Sequence, residues 1–339
     1  MRAIVLRQHG GPEALRIEEV PAPEMGPGEV LVRVRACALN NVDLQLRAGL
    51  PREPVELPRI LGADVAGVVE AAGPLATNVT AGQEVLLCPS LSCGLCAHCV
   101  GGEDVFCPAY RVMGGGYAEY VAVPAANVFP KPPGLSFAEA ASMPLVFLTA
   151  WHMLVERARL RRGEDCLVQA AGSGVGVAAV QIAVLLGARV IATAGSAWKL
   201  DRARALGADV TINYSEQEIY PAVRAVVGSK GLEVVFEHVG GATFETSLRL
   251  LATNGRLVTC GSTAGPEVKI DLRYFFRRHI SLLGSRMGSK AEFHALLAEV
   301  GRGHLRPVVD RVFPLDQAAE AHRHLMSRSN FGKVVLRID

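Results

Sequence analysis

The period of the apolar positions changes once along the chain. From residue 1 to about 130, short runs such as Ala3–Leu6, Val30–Ala36, Val65–Glu70 and Glu84–Leu87 alternate with polar residues. Gly, Pro and Asn punctuate them, which predicts a mainly antiparallel, barrel-like domain. Gly115-Gly116 leads into one more strand, Tyr117–Val123. From Ser136 the apolar residues fall at helical spacing. Ser136 and Glu139 spell a capping box, and a second helix is expected over Phe147–Ala158. Strands are then expected at Leu167–Ala170, Arg189–Thr193, Val210–Ile212, Glu233–Glu237, Arg256–Cys260 and Ile280–Gly284. Between them helices are expected at Val177–Leu186, Ala197–Leu206 and Thr243–Leu251, and one capped by Ser215 with Glu218. That alternation implies a parallel sheet with helices on both faces, an α/β fold. Helices Ala291–Val300 and Leu315–Met326 and strands Val308–Val312 and Lys333–Ile338 do not continue the repeat, so the chain end is read as returning to the first domain. The expected domains are residues 1–146, 147–285 and the returning 286–339.

The segment Asp165–Lys199 carries the first chemistry. A strand, the turn Ala171-Gly172-Ser173-Gly174-Val175-Gly176, a helix stopped by Gly187 and a second strand follow one another. This is the βαβ unit that binds a dinucleotide. Its glycines let the backbone approach a pyrophosphate, whose charge the helix N-terminus favours. An NAD site has an acid about twenty residues past the turn, at the ribose hydroxyls. Here the second strand ends Ala192-Thr193-Ala194-Gly195-Ser196, with Lys199 and Arg202 following. A hydroxyl and a cation suit a 2′-phosphate, so NADP(H) is favoured over NAD(H). The plain reading of Lys199 is a solvated helix charge.

Composition adds limits. A chain of 339 residues, half of them hydrophobic, suits two domains with sizeable cores. A net charge of +2 indicates no polyanion partner, so no nucleic acid is expected. The start MRAIVLRQHGG is too short in its apolar run for a signal peptide, and no run of about twenty apolar residues offers a membrane span. A cytoplasmic location is therefore the expectation. Of eight cysteines, Cys93, Cys96, Cys99 and Cys107 are spaced C-x2-C-x2-C-x7-C. Four close thiolates form a closed tetrahedral set, the signature of structural zinc. An unmetallated loop is one alternative. An iron–sulfur cluster is another, although a ferredoxin run has three residues before its last Cys and not seven. His98 is surplus to a four-Cys site. Cys37, Cys88, Cys166 and Cys260 lie in apolar runs and are read as core thiols.

The whole chain resembles the medium-chain dehydrogenase/reductase superfamily, the zinc-type alcohol dehydrogenases and quinone oxidoreductases. The resemblance rests on GPEALRIEEVPAP, ALNNVDLQLRAG, LGADVAGVVEAAG, the four-Cys lobe, GGYAEYV, FLTAW, AAGSGVG and the final FGKVVL. It implies a GroES-like catalytic domain, formed by both chain ends, around a doubly wound Rossmann domain, with the active site in the cleft between them. The ligand positions of the family's catalytic zinc hold Asn40, Ala63 and Leu145, with Asp64 as the neighbouring acid, and the alcohol-relay hydroxyl falls at Val42. The structural zinc is thus expected to be kept and the catalytic zinc lost, as in the quinone oxidoreductase and enoyl reductase branches. The implied function is NADPH-dependent hydride transfer to a quinone or an activated C=C bond. The alternatives are an atypical alcohol or carbonyl dehydrogenase and a non-enzymatic NADPH-binding sensor or structural protein.

Position by position, the resemblance places Thr149 near the nicotinamide or its ribose, and Ser173, Gly174, Val175 and Gly176 at the pyrophosphate. Ser196, Lys199 and Tyr214 match 2′-phosphate positions. Val239, Gly240, Cys260, Gly261 and Ser262 would line the nicotinamide side, and Lys333 matches a cofactor-contacting position. Asn40, Asp43 and Thr149 are the catalytic candidates, although Asn40 and Asp43 also suit a turn and a helix cap. Some relatives place a proton-donating Tyr after this segment. Here Leu44-Gln45-Leu46-Arg47 follow, so no donor is named. His152 and His238 are read as packed histidines. A homodimer or tetramer is implied, paired through the strand near Ile280–Gly284.

Overall fold

The strand Glu29–Ala38 shows how the N-terminal sequence folds. Val30, Val32 and Val34 are buried on one face, and burial becomes complete at Ala36–Ala38. The change follows from its neighbours. Its first half pairs with Tyr120–Pro124, its last residues with Lys333–Arg337, and its other edge with Asp64–Ala72, all antiparallel. The structure, a computed structural model, describes residues 1–49 and 55–339.

The chain divides into two units. One comprises Met1–Leu145, Ser289–Gly301 and Arg306–Asp339. Its main sheet runs Val128–Pro130, Glu84–Leu87, Asp64–Ala72, Glu29–Ala38, Lys333–Arg337, Val309–Pro314. A three-stranded sheet, Leu15–Glu19, Arg2–Leu6 and Arg59–Ile60, stands beside it. Ile4, Leu6, Val32, Val65, Tyr117, Phe313 and Leu336 share one core, so both chain ends close the same apolar interior.

The other unit comprises Val146–Gly288 and Arg302–Leu305. Its six strands are all parallel, in the order Val210–Asn213, Arg189–Ala194, Asp165–Val168, Leu232–Glu237, Leu251–Thr259, Ser281–Gly284. This is the doubly wound order whose crossover lies at the first strand, Asp165–Val168. The helix Gly174–Leu185 is buried continuously from Gly176 to Ala183, which is why its sequence is apolar all round and not striped.

Several expected elements shift. The helix over Phe147–Ala158 is α from Pro144 to Trp151 and a π-helical turn over His152–Arg157. The strand expected from Tyr117 begins at Tyr120, because Tyr117 and Ala118 leave that line to bond the N-terminal strand at Ile4 and Ala3. Ser215 does not cap the next helix. Its hydroxyl donates to Gly195 O and its N–H to Asn213 Oδ1, so the helix starts at Ile219 with Glu218 as N-cap. The strand expected from Arg256 already begins at Leu251. The last helix opens as a 3-10 turn at Leu315–Gln317 before Ala318–Met326. The Ser136–Glu139 box forms, with Ser136 N–H donating to Glu139 Oε2 at 2.8 Å. Cys260 lies past the end of its strand and is half-buried as a residue, with its thiol turned inward.

Candidate functional site

The glycine turn is built by side chains on both sides of it. Thr193 Oγ1 accepts from Ala170 N–H at 3.1 Å and donates to Gln169 Oε1 at 2.8 Å, tying the turn to the neighbouring strand. Ala170 is held at φ 47°, left-handed for a residue with a Cβ. Ser173 caps the helix by accepting from Gly176 N–H at 3.0 Å. A Cβ on Gly176 would lie 2.5 Å from Ala170 O. The N–H groups of Gly174 and Val175 meet no acceptor among the described residues. An open helix N-terminus with two spare donors fits a pyrophosphate. His238, one strand over, faces Gln169 O at 2.9 Å and Ser173 Oγ at 3.4 Å. Burial lowers its proton affinity, so it is a neutral support of the turn.

Ser196 and Lys199 follow one strand and Tyr214 follows its neighbour, and the two strands are paired at Ala194 and Asn213. Ser196 is the N-cap of Ala197–Ala205, yet its side chain makes no capping bond. The Tyr214 ring packs against Gly195 and remains half exposed. Lys199 Nζ lies 5.4 Å from the Trp198 ring centroid.

Glu237 was not singled out in the sequence, yet it organises the turn after its strand. Its buried carboxylate accepts from Val239 N–H at 2.6 Å, Gly240 N–H at 3.0 Å, Thr243 Oγ1 and Ser247 Oγ. Val239 O in turn accepts from Ala264 N–H at 2.7 Å. Val239 and Gly240 are thereby fixed beside the loop that holds Gly261 and Ser262. Burial pushes the Cys260 thiol up to about 12, so it is no nucleophile at neutral pH. Thr149 is buried, and its hydroxyl donates to Met287 Sδ at 3.5 Å.

Asn40, Asp43, Asp64 and Lys333 form one buried cluster in the other unit. Strand register produces it: Ala38 pairs with both Asp64 and Val335, so the residues beyond it converge. Asp43 accepts from Asn40 N–H at 2.8 Å and Gly62 N–H at 3.1 Å. Gly62 has φ 92°, and a Cβ there would meet the Tyr117 ring at 2.4 Å. Asp64 accepts from Leu145 N–H at 2.7 Å, Asn40 Nδ2 at 2.9 Å and Lys333 Nζ at 2.9 Å. Asn40 Oδ1 accepts from Lys333 Nζ. Asn40 and Asp43, expected to face substrate, thus have their polar atoms engaged inside the protein. Lys333, expected at the cofactor, is bonded to both Asn40 and Asp64.

Burial raises Asp43 to about 6, against the pull of its two N–H donors. Burial first, then the Asp43 carboxylate, pushes Tyr117 well above the usual phenol range. Tyr117 Oη lies 3.2 Å from His322 Nε2, and His322 Nδ1 lies 3.3 Å from Arg47. Burial and the Arg47 charge lower His322 to about 3.

The four cysteines converge as expected. Their Sγ atoms all lie within 4.8 Å of one another, with pairs at 3.5, 3.5 and 3.8 Å. Thiolates about 2.3 Å from a tetrahedral zinc stand about 3.8 Å apart, so the set fits that ion. The N–H groups of Leu95 and Cys96 draw Cys93 down to about 6, favouring the thiolate a metal needs. His98 is outside the set and pairs with Glu103 at 3.6 Å. Among the described residues no other group of three or more His, Cys, Asp or Glu ligand atoms comes together. Lys290 anchors the lobe, donating to Asp104 Oδ2 at 2.8 Å and Ser92 Oγ at 2.9 Å. Also among the described residues, no helix is long and apolar enough to cross a membrane.

A family model of an alcohol dehydrogenase GroES-like domain matches residues 26–133, and one of a zinc-binding dehydrogenase matches residues 174–302. A quinone oxidoreductase of Rattus norvegicus is 32% identical, over 99% of this chain and 97% of its own. A solved NAD-dependent alcohol dehydrogenase is 50% identical, with a TM-score of 0.96 and full coverage of both chains. A solved crotonyl-CoA carboxylase/reductase in complex with NADP is 25% identical, with a TM-score of 0.92, over 100% of this chain and 95% of its own.

Proposed function

This chain belongs to the medium-chain dehydrogenase/reductase superfamily, and from that premise we propose that it uses NADPH to reduce a quinone or an enone- or enoyl-type C=C bond without a catalytic metal. It is an NAD(P)H-dependent oxidoreductase acting on small molecules; the acceptor class and the metal-free chemistry are the proposal. One observation carries it. Asn40, Ala63 and Leu145 offer an amide, a methyl and an isobutyl group, and the amide oxygen is already bonded to an ammonium. No thiolate or imidazole stands there to hold a Lewis acid, which an unactivated alcohol needs for hydride loss. An acceptor already polarised by its own carbonyl has no such need.

When bound, the reduced nicotinamide supplies a hydride to the β-carbon of the acceptor. The C=C pair shifts toward the carbonyl carbon, the C=O pair moves onto the oxygen, and a proton from water at the α-carbon completes the saturated product. Ser173, Gly174, Val175 and Gly176 would hold the pyrophosphate, and Ser196, Lys199 and Tyr214 the 2′-phosphate. NADPH preference is supported by the absence of an acid at the end of Arg189–Ala194. Ser196→Asp should weaken NADPH more than tenfold and improve NADH, read by fluorescence titration of both.

The likeness to an NAD-dependent alcohol dehydrogenase favours a second reading, alcohol oxidation with NAD. The two separate cleanly. Purified protein is assayed for NADPH oxidation with enones, enoyl thioesters and quinones, and for NAD reduction with alcohols, alongside metal analysis. NADPH turnover with one metal per chain is expected. Alcohol turnover that needs a second metal would overturn the proposal. We further propose a homodimer paired through the edge strand Ser281–Gly284, where Leu282 is exposed and Leu272 and Phe276 stand exposed on the preceding helix.

A further inference from the structure

The buried cluster around Asn40 can be read by counting what each group has left to give. Asp43 receives two backbone N–H groups. Asp64 receives three donors. The Asn40 amide is committed at both ends, its oxygen to an ammonium and its nitrogen to Asp64 and, at 3.5 Å, Ala38 O. The donor-only ammonium and acceptor-only carboxylate also fix which end of that amide is which. Lys333 is the exception. Its ammonium carries three N–H donors, and two of them are bonded. Among the described residues the third has no acceptor.

A buried ammonium is costly to maintain, and this one is 4% exposed. The cluster holds it by ionic and amide contacts that fix its position while leaving one donor over. A fixed cation with a spare N–H in a water-poor setting suits an oxygen that becomes negative during reaction.

We propose that Lys333 is a catalytic residue whose third N–H stabilises the developing oxyanion of the acceptor, with Asn40 and Asp64 positioning it. This rests on the reductase reading above, and the test separates it from the cofactor contact that the resemblance implies for Lys333. The electrons balance within that reaction. The hydride pair forms the new C–H bond, the C=C pair shifts to join the α-carbon to the carbonyl carbon, the C=O pair becomes the oxygen lone pair at Lys333, and water protonates the α-carbon as the carbonyl re-forms. Lys333 donates a hydrogen bond throughout and does not surrender its proton.

The test compares wild type with Lys333→Met and Lys333→Arg, with zinc content and circular dichroism as folding checks. Three quantities are read: kcat for a cyclic enone, the NADPH dissociation constant, and the absorbance of para-nitrophenol titrated with pH in the NADP+ complex. Lys333→Met should lose about 100-fold in kcat while NADPH affinity changes less than threefold. Lys333→Arg should recover part of the loss. Wild type should bind the nitrophenol with its ionisation shifted to lower pH, and Lys333→Met should abolish that shift. The proposal is overturned by an unchanged kcat in Lys333→Met, or by weakened NADPH binding with kcat retained at saturation. A nitrophenol that does not bind wild type, or that titrates alike in both proteins, also overturns it. If Lys333→Met does not fold, Lys333→Gln replaces it under the same criteria. If wild type reduces no acceptor at all, the reductase reading fails, while the nitrophenol titration still decides the role of Lys333.

Discussion

Gly176 leaves no room for a side chain, because its Cβ would stand 2.5 Å from a backbone oxygen that cannot withdraw without reshaping the turn. Gly176→Ala should therefore cost more than tenfold in cofactor affinity, measured by NADPH fluorescence, with the thermal midpoint falling by only a few degrees. His322 gives a pH prediction. Lowered to about 3 in the fold, it binds a proton less readily there than in the unfolded chain, where the value is about 6.5. Its contribution to stability is complete above about pH 6.5 and is lost as the pH falls, by up to about 1.4 kcal/mol per unit. Asp43, raised to about 6, works in the opposite sense: its contribution is present while it is protonated and is lost as the pH rises from about 4 to about 6. Urea unfolding between pH 4 and pH 7.5 should show His322→Gln losing stability less steeply than wild type on acidification, and Asp43→Asn more steeply. At this scale the sequence revealed residue types but not partners. Asn40 and Asp43 stood out, yet the ammonium that engages Asn40 comes from 293 residues away. No local pattern reports such a contact; strand register creates it.

Among the elements, the cysteine lobe was legible outright, since short spacings bring thiolates together whatever surrounds them. Its anchor was not, because Lys290 reaches Asp104 across 186 residues. Purified protein should carry one zinc per chain. Chelation, or Cys96→Ser, should expose the segment around residues 90–112 to protease and speed its hydrogen exchange before the parallel sheet opens. The turn after Leu232–Glu237 depends on one side chain in the same way. Glu237→Ala strips the acceptor from four donors and should cost about 3 kcal/mol or more in unfolding free energy, together with weaker cofactor binding. Glu237 escaped notice because an acid at a strand end reads as solvated surface. Its burial goes with the close approach of Gly240 to Ser262 and of Gly241 to Ala264 just after it. The helix supposed to start at Ser215 failed for a related reason. The spacing of a capping box was present, but a backbone oxygen twenty positions earlier took the hydroxyl.

For the molecule as a whole, the alternation of strand and helix disclosed the parallel sheet, and the broken repeat after residue 285 disclosed that the chain does something else there. What period cannot give is order. Nothing in the sequence of Lys333–Arg337 says that it lies between Glu29–Ala38 and Val309–Pro314. The proposed dimer belongs to this scale. Leu282→Lys should shift sedimentation toward the monomer, while zinc content and far-ultraviolet dichroism stay unchanged. An unaltered sedimentation coefficient would place the subunit contact elsewhere.

Arg47, His322 and Tyr117 carry a consequence that concerns order among protons. A guanidinium can only donate, so His322 Nδ1 must accept and the ring proton must sit on Nε2, facing Tyr117. The row thus has one polarity, running from the cation to the Tyr117 hydroxyl, and cannot reverse while Arg47 is in place. The partners on its two nitrogens lock this buried imidazole as a single tautomer. Nitrogen NMR of the His322 ring should show one protonated Nε2 and one bare Nδ1 across the neutral range. Arg47→Leu should release the lock and let the second tautomer appear.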